Sequence, residues 1–224
     1  MSPSPRHEEQ TAPQLATETC QDKPEIFTDV SRIIPDAVLD LRYFSADNFV
    51  GSQVDGYHAA FAWLTRPSAD ALAEVALRAR HEGFRLKLFD CYRPARAVAH
   101  FARWAEDLAD TRTKPAYYPD LDKSALFTEG YIAARSGHSR GSTLDLTLIE
   151  AESGRELDMG TPFDLFSRTS WPGSEDVSAS ARSNRRLLAG LMAAQGFEPF
   201  FMEWWHFTLK AEPFPETYFD FPIE

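Results

Sequence analysis

The sequence predicts a single α+β domain with a largely antiparallel central sheet flanked by helices. Two patterns carry this reading. Phe84–Asp90, Thr143–Leu148 and Trp204–Leu209 alternate with a period of two and read as strands, while residues 67–82, 94–108 and 183–195 carry apolar stripes of helical period. The chain has 224 residues, 43% of them hydrophobic, enough for one substantial core, and no internal repeat divides it.

Residues 1–24 are rich in Ser, Pro, Thr, Gln and Glu and read as a flexible tail, leaving 25–224 as the folded domain. The tail has no apolar run of signal-peptide type, and no later stretch approaches the roughly twenty apolar residues of a membrane span. Cytoplasmic residence is the expectation. From Pro67 to Glu82 the residues Leu72, Val75, Ala76 and Ala79 form one helical stripe that stops at Gly83. Phe84 to Asp90 follows as a strand, and the helix starting at Pro94 comes next. Arg93 therefore stands at a strand-to-helix junction, because the proline disfavours helix at the residue before it and suits the first turn after it.

Residues 109–137, with Pro115 and Pro119 among aromatic neighbours, predict a loop-rich insertion near the mouth of a site. The third helix places Leu187, Leu188, Leu191 and Met192 inward and ends at Gly196. Cys20 lies in the tail and Cys91 after a buried strand; free thiols are expected, and neither has a zinc-ligand partner at short spacing. Lys and Arg total 23 against 34 Asp and Glu, a net charge of −11, which argues against nucleic acid or an anionic membrane as partner. Homo-oligomer formation is left open.

The most informative residues form two segments, Ser136-Gly-His-Ser-Arg-Gly-Ser-Thr-Leu-Asp145 and Glu203-Trp-Trp-His206. Catalytic zinc usually takes three protein ligands from His and Asp/Glu, leaves a position for water, and works beside a carboxylate that takes the water proton. His138, Asp145 and His206 fill the ligand roles, and Glu203 is the natural base. In Thr143–Leu148 the leucines share one strand face and Asp145 the other. In Trp204–Leu209, Trp205, Phe207 and Leu209 oppose Trp204, His206 and Thr208. Neighbouring strands would bring Asp145 and His206 together over one cleft. Gly137 and Gly141 allow the turn that folds His138 back toward them. Arg93 suits stabilisation of an oxyanion; the alternative pairs it with Asp90 or another carboxylate for structure.

With Asp90-Cys-Tyr-Arg-Pro94 and Asp158-Met-Gly-Thr-Pro-Phe-Asp164 added, these strings resemble the D-alanyl-D-alanine dipeptidases, the zinc enzymes of vancomycin resistance and their bacterial relatives. The likeness runs from about Asp29 to the C-terminus. It implies one Zn2+ per chain on His138, Asp145 and His206, with Glu203 as general base and then acid and Arg93 on the transition state. It also implies that Asp164 receives the substrate ammonium, that Tyr43 lines the same end, and that Ser136 contacts the bound dipeptide. Asp164 also reads as a turn or helix cap, and Tyr43 as a core tyrosine. The implied reaction is hydrolysis of the small-molecule substrate D-Ala-D-Ala to two D-alanines, which ties the chain to cell-wall peptidoglycan. The rival readings are a zinc D,D-carboxypeptidase or endopeptidase of cell-wall peptides, a dipeptidase of different specificity, and a metal-bearing binding module without catalysis.

Overall fold

A computed structural model describes residues 22–224. The tail expected over residues 1–24 and the thiol of Cys20 lie almost wholly outside the described residues. Seven strands and four α-helices follow in chain order: β1 Phe27–Asp29, β2 Val38–Leu39, β3 Trp63–Thr65, α1 Arg66–His81, β4 Phe84–Asp90, α2 Ala95–Glu106, α3 Lys114–Tyr117, β5 Thr143–Glu150, α4 Ala179–Ala193, β6 Phe197–Pro199 and β7 His206–Leu209.

The main sheet has the order β2-β4-β5-β7-β6, antiparallel except for the β2/β4 edge, and β1 pairs with β3 in a separate ribbon. The architecture is α+β, as the alternation of periods predicts. Leu86 pairs with Leu148 and Leu88 with Leu146, so these leucines share one face. Helix α1 packs on β4 and on α4, and α4 packs on β6. α1 begins with a proline in its first turn and stops before Gly83, whose φ of 84° only glycine adopts without strain.

Both faces of β5 are buried from Thr143 to Ile149. Asp145 therefore looks away from the leucines, as expected, but into a covered cleft. Between Leu88 and Asp90 the register of β4 on β5 shifts, so that Asp90 rather than Phe89 stands opposite Asp145. This bulge adds one residue to β4 and brings a second carboxylate to the site face.

Several boundaries differ from the sequence pattern by a few residues, and two of them have a clear physical cause. Helix α4 starts at Ala179 instead of Ser183, because Ser178 caps it by accepting from Ala181 N at 3.0 Å. Strand β7 starts at His206 instead of Trp204. Trp204 is drawn out of the sheet: its backbone N donates to Ser170 O at 3.0 Å and its indole to Thr161 Oγ1 at 2.8 Å. Residues 109–137 form the expected insertion, with α3 and short turns, and residues 130–133, Arg135 and Ser136 wall the cleft. Among the described residues, no helix is long and apolar enough to cross a membrane.

Candidate metal centre and active site

The cleft is built where β4, β5 and β7 end. Asp145 and His206 are register partners on β5 and β7. His138 sits in the turn Gly137–Arg140, which Ser136 caps by accepting from His138 N at 3.3 Å. Gly141 closes that turn with φ 80°, and a Cβ there would fall 2.3 Å from the Phe27 ring, so only glycine fits. The His138 Nδ1 donates to the Cys91 carbonyl at 2.6 Å, which leaves Nε2 as the acceptor facing the cleft.

The three donor groups close on one another. His138 Nε2 lies 3.3 Å from His206 Nδ1 and 3.3 Å from Asp145 Oδ2, while His206 Nδ1 lies 3.1 Å from Asp145 Oδ1. The two histidines face different oxygens of Asp145, and with one ligand atom taken from each residue the three atoms lie within 4.8 Å of one another, close enough for one divalent ion to draw them into its coordination shell. Asp145 Oδ1 is buried and, despite its nearness to His206, has no hydrogen bond of good geometry. A buried carboxylate oxygen left in that condition is costly unless a cation meets it. His138, Asp145 and His206 form the group that can hold a metal among the described residues.

Electrostatics separates the members of the cluster. Burial lowers His138 to about 4, so its ring is neutral and ready to ligate. Burial opposes ionisation of Asp145, but the His138 and His206 rings beside it hold its carboxyl far below the usual range. Burial opposes protonation of His206, but the Asp145 carboxylate beside it, with Glu203 adding, outweighs burial and raises it.

Glu203 lies in the turn before β7, with Oε2 3.5 Å from His206 Nδ1. Burial, helped by the negative Asp145 and opposed by His206, pushes it up to about 7. A carboxyl poised near neutrality can both take and return a proton.

Arg93 joins the other side. Its Nε donates to Asp90 Oδ2 at 2.9 Å, Nη1 to Ser136 Oγ at 3.4 Å and Nη2 to Asp145 Oδ2 at 3.5 Å, and its guanidinium stacks over Tyr43 and Phe101. The structural pairing with Asp90 and the position at the cleft are thus both present. Tyr43 donates to Asp164 Oδ2 at 2.8 Å. Both residues are buried, and burial raises Asp164 well above the carboxylate range, with the Asp145 and Glu203 charges adding to it. Asp164 has φ 61°, a left-handed conformation that aspartate tolerates better than most residues. Arg93, Asp145, Ser136, Tyr43, Asp164, Glu203 and His206 all line one cavity of about 370 Å3, within the range of small-molecule sites.

Sequence reasoning offered the pairing of Asp90 with Arg93 but missed that Asp90 also gathers Tyr57 and His138. It accepts from Tyr57 at 2.7 Å and from Arg93, and lies 3.5 Å from His138 Nδ1. Its place in the Asp90-Cys-Tyr-Arg-Pro94 string was the available signal; Tyr57 gave none.

A family model described as D-Ala-D-Ala dipeptidase matches residues 23–224. A D-alanyl-D-alanine dipeptidase of Streptomyces coelicolor is 45% identical over 88% of this chain and 98% of its own length. One of Enterococcus faecium is 39% identical over 88% and 98%, and one of Escherichia coli is 34% identical over 84% and 86%. A solved vancomycin-resistance D,D-pentapeptidase in complex with Zn(II) overlays with a TM-score of 0.40 at 15% identity, over 70% of this chain and 77% of that one. On the near full-length family match and the identities to these dipeptidases, the chain belongs to the D-alanyl-D-alanine dipeptidase family of metallopeptidases.

Proposed function

We propose that this enzyme hydrolyses D-Ala-D-Ala to two D-alanines, with His138, Asp145 and His206 holding zinc and Glu203 managing the proton. The observation that carries the reading is the convergence of a cluster of three donor residues, a carboxyl near neutrality and a guanidinium on one small cavity. Zinc, when bound, supplies Lewis acidity to the scissile carbonyl and lowers the pKa of water.

The chain's own groups do the rest. Glu203 takes a proton from the attacking water and delivers it to the leaving amine, so that one C–O bond forms, the C–N bond breaks and no covalent enzyme intermediate is needed. Arg93, fixed by Asp90, offers its Nη atoms to the developing oxyanion. Asp164, with Tyr43 on one oxygen, pairs with the substrate ammonium and is ionised by that pairing. Ser136 borders the same bound dipeptide. Action on the free dipeptide in the cytoplasm belongs to this proposal.

Release of D-alanine from D-Ala-D-Ala should appear when zinc is added to metal-stripped protein and vanish on chelation. A zinc-loaded, folded protein that leaves D-Ala-D-Ala intact refutes the reading.

A further inference from the structure

The proposed substrate is a zwitterion, and only its ammonium end has so far been given a partner. The sheet order supplies a place for the other end. Tyr43 follows β2 and reaches Asp164, so the acidic pole of the cavity lies toward β2 and β4. Of the proposed metal donors, Asp145 and His206 sit on β5 and β7, and His138 in the turn before β5. Beyond them the cavity wall continues through Thr208 of β7, Phe200 just after β6, and Arg140, and these three also line a shallow recess with Glu198 and Glu212.

Arg140 is held there in a defined pose. Its Nε donates to Glu212 Oε2 at 2.8 Å, and both side chains are largely covered, 18% and 12% exposed. Its guanidinium lies against Tyr218, over the ring and with a side-chain hydrogen bond to it, and Nη2 comes within 3.4 Å of where a Cβ on Gly137 would stand. Gly137 lines the cavity, so the Nη edge of the fork borders it while the Nε edge is tied to Glu212. A guanidinium with one edge anchored and one edge on a cavity is preorganised for two parallel hydrogen bonds to a carboxylate. Arg135, the other arginine on this wall, is exposed at the rim and has no anchoring carboxylate partner of this kind.

We propose that Arg140, oriented by Glu212, binds the C-terminal carboxylate of the dipeptide and so sets the cavity's preference for substrates with a free carboxylate. This rests on the dipeptidase reading. The bound dipeptide then lies across the metal donors, with ammonium at Asp164 and carboxylate at Arg140, and both charged ends are tested for presence and spacing. Glu212 is a positioning residue that never touches substrate.

The experiment compares D-Ala-D-Ala with D-alanyl-D-alaninamide, which keeps the ammonium and the scissile bond but lacks the carboxylate. Arg140→Gln should raise KM for the free dipeptide about tenfold or more, leave kcat within about threefold, and leave the amide's kcat/KM unchanged. Arg140→Lys, which keeps the pairing with Glu212, should lose part of the preference, and it replaces the glutamine variant if that fails to fold. Arg135→Gln should behave as wild type. Equal loss on both compounds, an unchanged KM, or transfer of the effect to Arg135→Gln overturns the assignment. Calorimetric binding of both compounds to the Glu203→Gln protein gives the same comparison without turnover. If the unmutated zinc protein binds the dipeptide without cleaving it, the hydrolytic reading falls while the Arg140 comparison still stands; if it binds neither compound, the Arg140 assignment falls too.

Discussion

Asp145 and His206 stand directly opposite each other on β5 and β7, with His206 Nδ1 3.1 Å from Asp145 Oδ1. Strand pairing fixes this relationship, so it is as rigid as the sheet itself. Only His138 arrives from a turn, and that turn is capped at both ends. The proposed metal site is therefore part of the core and should survive removal of the ion.

A first prediction concerns the ligand set. The purified protein should hold about one divalent ion per chain, and His138→Ala or His206→Ala should lose most of it. Glu203→Ala should keep the ion and the fold while turnover drops by several orders of magnitude. Metal analysis beside a turnover assay checks both; full occupancy in either histidine variant contradicts the ligand set.

A second prediction concerns pH and metal affinity. His138 is already neutral above about 4, whereas His206 is raised and must lose a proton before it can ligate. Protons thus compete with the metal mainly at His206, and Glu203, near 7, adds a further proton-linked site beside it. Affinity should fall as pH drops below neutrality, and binding near neutrality should release protons. Competition with a chelating dye across this range, with proton release from calorimetry in two buffers, provides the measurement. Affinity independent of pH is the contrary result.

A third prediction separates the two tasks of Arg93. Arg93→Ala should lower kcat far more than it raises KM, and Arg93→Lys should rescue poorly, since an ammonium lacks the guanidinium fork. Asp90→Ala leaves Arg93 and Tyr57 buried without their carboxylate and should cost about 3 kcal/mol or more in denaturant unfolding of the metal-free protein. Unchanged stability would remove Asp90 from its place as hub. Normal turnover with weaker binding in Arg93→Ala would move Arg93 to a ground-state role.

How much of this was legible in the sequence follows from how local each signal is. The alternation around Asp145 and through His206–Leu209 fixed which side chains share a face, and the observed register agrees. The glycines around His138 announced its turn. The start of β7 was not legible, because Trp204 is apolar and aromatic like a strand residue, yet its backbone and indole bind the distant Ser170 and Thr161. The bulge that turns Asp90 toward Asp145 was hidden for a similar reason: the period of two carries no mark where one residue is added. Tyr57 and Arg140 acquire their meaning from partners far away in the chain, and Asp90 does so through Tyr57 and His138, its pairing with Arg93 being local.

The most direct test of the central claim compares D-Ala-D-Ala with N-acetyl-D-Ala-D-Ala on the zinc-loaded enzyme. Asp164 is buried beside Tyr43, and acetylation would leave it without its ammonium partner while adding bulk at that end of the cavity. A dipeptidase should cleave the free compound and leave the acetylated one almost untouched, and Asp164→Ala should lose activity on the free compound while narrowing the gap. Efficient cleavage of N-acetyl-D-Ala-D-Ala by the unmutated enzyme would contradict the account and make the protein a carboxypeptidase with the same metal site.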